Sequence, residues 1–131
     1  MANKQFSENI SDFIKFLTDT VDDYHWSFEQ VGVMDNLTQD YLHKLELDDL
    51  DYKERAKVAT KLSECRKNRR AYKDTCQILE PTVQFLESDK GKNMMGLLRE
   101  ALGKTRKSEE RMENRVYIPR VLDEPVKKKR K

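Results

Sequence analysis

From Ile10 onward the apolar residues keep a seven-residue beat. One column runs Ile10, Leu17, Tyr24, Val31, Thr38 and Leu45; the other, four residues on, runs Ile14, Val21, Phe28, Asp35 and Leu42. Nine of these eleven positions are apolar. A spacing of about 3.5 residues sustained this long predicts a long helix in a coiled-coil-like pairing, since a plain surface helix drifts off that repeat. At about 1.5 Å per residue, a helix over residues 9–45 is roughly 55 Å long. Ser7 is its candidate N-cap.

The acidic stretch LELDDLD (45–51) interrupts the pattern. Asp51 followed by Glu54 has the spacing of an N-cap and its N3 carboxylate, so a second helix is expected to start near Tyr52. Its columns are Val58, Cys65, Tyr72, Leu79, Leu86 and Leu62, Arg69, Cys76, Val83, again at a period of seven. Two long helices joined by a short turn fold back as an antiparallel hairpin. Pro81 falls inside the second pattern. Because the seam keeps register through Val83 and Leu86, a kink or a short break with immediate restart is expected there, not a domain boundary.

SDKGK (88–92) is the stronger punctuation, and a third helix is expected from about Asn93 to Asn114. Its apolar face would be Met94, Leu97, Leu98, Ala101, Leu102 and Met112. RVYIPRVL (115–122), β-branched and aromatic around Pro119, reads as an extended segment. The chain then ends in a charged tail, DEPVKKKRK, with no means of forming a core. The expected architecture is all-α: a long antiparallel coiled-coil-like helical hairpin plus a third helix, with an extended C-terminal segment. Residues 1–122 form a single helical domain and 123–131 a disordered basic tail.

Composition sharpens this picture. The chain of 131 residues is 37% apolar and 38% charged, which favours elongated helices with narrow seams over a thick core. Limited burial, with Phe13, Trp26, Val33 and Tyr41 off the main columns, points to contacts with the third helix or with a second copy, hence a homodimer or larger homo-oligomer. The N-terminal residues are polar, and MMGLL (94–98) is far short of the roughly 20 apolar residues of a membrane span. No membrane association is expected, and a cytoplasmic location is. Cys65 and Cys76 lack metal-ligand spacing and suit a reducing compartment as free thiols.

Charge is segregated. Residues 1–51 hold three Lys/Arg against twelve Asp/Glu, and residues 52–131 hold twenty-three against twelve. The densest basic run is ECRKNRRAYKD (64–74). Folding the hairpin about residues 48–49 places position n opposite 97 − n, which sets this run against the stretch holding Glu29, with Asp22 and Asp23 just beyond. Ion pairing along the hairpin is the preferred reading, with Arg69 satisfied by aromatic packing or by Asp35 or Glu29. The alternative is a phosphate-tracking stripe of Arg66, Arg70 and Lys73, which share one face at i, i+4 and i+7, together with Lys127, Lys128, Lys129 and Arg130 of the tail. No nucleic-acid-binding motif accompanies it.

Chemistry is sparse. Asp22, His25 and Glu29 can share a helix face, with His43 further on, yet two histidines without HExxH-type spacing predict no metal site. No nucleophile constellation is visible. No catalytic residues, no cofactor and no enzymatic activity are expected.

LTQDYLHKLEL (37–47), RAKVATKLSECRKNRRAYKD (55–74) and RVYIPRVL (115–122) together resemble small helical proteins of unknown function encoded by temperate phages of Firmicutes. The resemblance covers roughly residues 30–122 and leaves out the lysine-rich tail. It implies a phage accessory setting in the host cytoplasm, with a protein that modulates host defence, replication or packaging by binding a host or phage protein. The segment suited to such binding is Val116, Tyr117, Ile118, Arg120, Val121 and Leu122, which could add a strand to an exposed sheet edge. Packing of that segment on its own hairpin is the plainer reading. Nucleic-acid binding is the alternative function.

Overall fold

The computed structural model describes residues 5–121. Three helices follow one another: α1 (Phe6–Leu47), α2 (Tyr52–Glu87) and α3 (Asp89–Glu113), with no strand among the described residues. The chain is all-α, and α1 and α2 form an antiparallel hairpin. It divides into two compact units. Leu17–Ser88 is the hairpin; the other joins the start of α1, up to Phe16, to the chain from Asp89 onward. No helix among the described residues is long and apolar enough to cross a membrane.

In the hairpin, α2 carries the regular half of the seam. Positions 58, 62, 65, 69, 72, 76, 79, 83 and 86 are all buried or partly buried, in unbroken four-three spacing. Val83, at 2% exposure, is the most enclosed side chain. On α1 the column Leu17, Tyr24, Val31, Thr38 and Leu45 also faces inward. Its companion column holds in part: Ile14, Val21 and Asp35 are partly buried, but Phe28 and Leu42 are exposed, and beyond Tyr24 the residues three on, Ser27, Met34 and Tyr41, also face inward. Ser27 is 4% exposed, whereas Phe28 is 65% exposed.

The reason is close approach. Cys65 Sγ lies 3.2 Å from the Met34 carbonyl oxygen, 3.7 Å from Met34 Sδ and 3.5 Å from Thr38 Oγ1. Cys76 Sγ lies 3.9 Å from the Tyr24 carbonyl oxygen. A thiol is a short side chain, so its contact with a carbonyl marks a close approach of the two helices. The small residues Ser27 and Thr38 are the most buried of α1 there, between the larger, partly buried Tyr24, Met34 and Tyr41. Trp26 sits at its edge, with its ring 5.4 Å from Tyr72 in a T-shaped contact.

The ends of α2 follow from local chemistry. Asp51 is extended (φ −76°, ψ 177°), and its Oδ1 accepts from the Glu54 amide at 2.8 Å, satisfying one donor of the first turn. The expected start at Tyr52 is therefore the observed one. Pro81 neither ends nor splits α2. It is exposed, so the carbonyl four residues back that loses its donor faces water, while Leu79, Val83 and Leu86 hold the inner side. Ser88 (φ −72°, ψ 164°) ends the helix; its amide is 3.1 Å from the carbonyls of Gln84 and Phe85.

α3 begins at Asp89, four residues before the position expected from SDKGK. Ser88 is the real punctuation. Asp89 then places a carboxylate in the first turn, where the helix end is electropositive. Gly91 is buried inside the helix instead of breaking it. The inward residues of α3 run Gly91, Met95, Leu98, Leu102, Thr105 and Glu109, at the same four-three spacing. Met95 thus joins this face, while the expected Leu97, Ala101 and Met112 face out. In the same unit Ser7 is not the N-cap of α1 but lies within its first turn. Its buried amide donates to Glu109 Oε2 at 3.1 Å, and Gln5 Nε2 donates to Glu113 Oε1 at 3.0 Å. A carboxylate from α3 therefore caps α1.

Candidate interaction surfaces

Two surfaces carry the residues singled out in the sequence. The first is the segment that follows α3. Asn114 ends that helix by directing both its amide and its Nδ2 at the Glu110 carbonyl, at 3.1 and 3.0 Å. Residues 115–121 then run without regular structure, as β-branched residues around a proline favour. Val116, Tyr117, Ile118 and Val121 are all exposed, Ile118 at 80% and Val121 at 90%. Arg120 is exposed as well, and Leu122 lies outside the described residues. Among the described residues none hydrogen-bonds to 115–121. Exposed apolar side chains gathered in one segment are a recurrent feature of contact surfaces, and the backbone here is open to water and available for pairing.

The second surface is the basic run on α2. Arg66, Lys67, Arg70 and Lys73 are exposed, and none has an ion-pair or hydrogen-bond partner among the described residues. Only Arg69 meets α1: it is partly buried, and its Nε donates to Asp35 Oδ1. The pairing expected along the whole run is thus one contact, made from the one basic residue on the inner seam. The others line a shallow depression of about 500 Å³ together with Arg69, Asp74, Ser63 and Gln77. All of these residues come from one helix, so the depression has no second wall. It offers charge and not enclosure. The tail cations Lys127, Lys128, Lys129 and Arg130 lie outside the described residues.

A second depression, of about 530 Å³, lies between the first turn of α1 and the last turns of α3, with Phe6 and Met112 as its apolar walls. Its Glu109 is engaged in capping. Hydrogen bonds from the Ser7 side chain and from the amides of Ser7 and Phe6 hold its carboxyl below the ordinary glutamate range, helped by Arg106. A carboxylate held ionised in this way is a poor general base.

His25 Nε2 is 3.2 Å from Glu87 Oε2 on the hairpin, both side chains being about half exposed. Asp22 and Glu29 do not join them: among the described residues no group of three or more His, Cys, Asp and Glu is placed to hold a metal ion. Cys65 and Cys76 are buried free thiols. Burial pushes the Cys76 thiol up, with the Glu80 charge adding to the effect and a backbone hydrogen bond opposing it. It is therefore a protonated, unreactive packing group at neutral pH.

Sequence reasoning missed Glu109 and Phe28. Glu109 extends the column Met95–Leu102, and the unsatisfied amides of α1 needed an acceptor, so a signal for it existed. The seven-residue beat puts Phe28 in the interior, whereas the buried residue is its neighbour Ser27. Comparison with protein-family models, with curated proteins and with solved structures returns no match, so function is argued from the chain itself.

Proposed function

We propose that this is a non-enzymatic interaction protein whose segment Val116–Val121, continuing into Leu122, docks onto a partner protein by pairing with an exposed sheet edge. The observation that carries this is the exposure of four large apolar side chains within six residues, on backbone that makes no hydrogen bond to any of the described residues. An added strand uses both features: ladder bonds supply affinity, and alternate side chains enter pockets.

The position of Pro119 selects the edge. Along an extended strand alternate residues direct their backbone groups to the same side. Pro119 lacks a donor, so the side used by residues 115, 117, 119 and 121 is interrupted. The uninterrupted side belongs to Val116, Ile118 and Arg120. The phage accessory setting implied by the sequence resemblance, with a host or phage protein as partner, is part of this proposal, as is self-association into a homo-oligomer.

The test is recovery of a binding partner with the full chain as bait, followed by proline scanning of the segment. Ile118→Pro removes an amide from the pairing edge and is expected to lower affinity at least tenfold. Tyr117→Pro leaves that edge intact and is expected to cost less. Equal loss from the two variants, or a partner retained by Ile118→Pro, overturns the strand-addition reading.

A further inference from the structure

We infer that the basic face of the hairpin is a binding site for single-stranded nucleic acid, in which Arg66, Arg70 and Lys73 hold the phosphates and Phe28 of the neighbouring helix stacks on a base. This is a different surface from the C-terminal segment and does not depend on it.

The first observation is unneutralised charge. Four cations lie within eight residues of α2, all exposed and none paired among the described residues, while Arg69 between them is held by Asp35. Asp74 is the one carboxylate lining the same depression. Mutually repelling cations hold counterions, and a polyanion that neutralises them releases its own condensed ions. Arg66 to Lys73 spans about 10 Å of helix at ~1.5 Å per residue. That matches about three nucleotides of one strand at ~3.4 Å each.

The second observation places an aromatic ring on the same face. Asp35 reaches Arg69, and Arg69 lines the depression with Arg66, Arg70 and Lys73. The edge of α1 that carries Asp35 therefore borders the basic face. Phe28 stands one heptad before Asp35 on that edge. Contacts of Tyr24 with Cys76 and of Met34 with Cys65 fix the level along the hairpin, which puts Phe28 at the height of Tyr72 and Lys73. Its ring is mostly exposed and leans on Tyr24, with centroids 6.4 Å apart and planes 29° from parallel.

A large ring backed by a second ring and bordered by cations is how sequence-tolerant single-strand sites are built: the charge tracks the backbone and the ring takes a base face. A duplex buries its base faces and could use only the cations. An acidic peptide has no flat face for Phe28 to meet.

The experiment is fluorescence anisotropy of the full chain with a labelled oligonucleotide, single-stranded and as the duplex, across a salt series. The expected result is preference for the single strand, with log K falling by about 2 per decade of salt for three phosphates at ~0.7 each. Arg66→Glu with Arg70→Glu should weaken binding about tenfold or more, while Arg66→Lys with Arg70→Lys largely retains it. Phe28→Ala should weaken single-strand binding about tenfold and leave duplex binding unchanged. Circular dichroism of each variant checks the helices. Binding that survives the double charge reversal assigns the affinity to the lysine-rich tail and overturns the site. Equal affinity for the duplex, an unaffected Phe28→Ala, or equal competition by polyglutamate overturns the single-strand assignment.

Discussion

The hairpin Leu17–Ser88 and the unit formed by the start of α1 with α3 are held by different chemistry. The hairpin buries Leu17, Val58, Cys65, Cys76, Val83 and Leu86 along its length, with Ser27 and Thr38 among them, and joins its helices through Arg69–Asp35 and the more exposed His25–Glu87 contact. The other unit buries Ser7, Gly91 and Met95 and joins its helix ends through the carboxylates of Glu109 and Glu113. Phe6, Phe13, Phe16, Leu97 and Met112 stand outside it. Repeating small-residue contacts give the hairpin a fixed register, because each thiol meets one carbonyl. A unit with few buried side chains depends more on polar groups at its ends, and those respond to pH.

The comparison breaks most readily at the seam. Ser27→Leu satisfies a hydrophobic-pattern rule but overfills a close contact, and is expected to destabilise the chain by about 1–3 kcal/mol. Phe28→Ala, one residue away, should change stability by no more than about 0.5 kcal/mol. Urea denaturation of the two variants decides; a stabilised Ser27→Leu would place the seam at Phe28 after all. Val83→Ala removes two methyl groups at the most enclosed position and should cost about 2 kcal/mol by the same measurement.

Smaller effects test the polar contacts. Asp35→Ala removes the partner of Arg69, and both side chains are partly exposed, so about 0–1 kcal/mol is expected, falling with added salt. Glu109 sets the sign of a pH effect. Its carboxyl is held below the ordinary range in the folded chain, so the stability it contributes is present above the unfolded value of about 4.3. That contribution is lost as pH falls through the lowered folded value. Thermal melts should therefore show stability declining in acid, and Glu109→Gln should flatten that decline. A slope identical in Glu109→Gln and the parent chain removes Glu109 from its capping role.

Much of the fold was legible in the sequence. The strict heptads of α2, the Asp51–Glu54 cap and the survival of register across Pro81 are local or periodic signals, and each appears where expected. The candidate surfaces were legible as composition: a basic run and an apolar extended segment. Their exposure was not. Whether Arg66, Arg70 and Lys73 face Glu29 or water depends on how two helices are rotated about their axes, and only Arg69 lies close enough to the seam to meet α1.

The sequence by itself determined three helices, their pairing into a hairpin, and the placement of charge along the chain, because periodicity, capping and proline rules act within a few residues. Tertiary structure alone decided that Ser27 goes in and Phe28 out, that Glu109 caps a helix about a hundred residues away in sequence, and that the basic face stands free. These outcomes turn on interhelical distance. Where helices approach close enough for a thiol to touch a carbonyl, size outranks hydrophobicity, and a pattern read from apolarity puts the wrong residue inside.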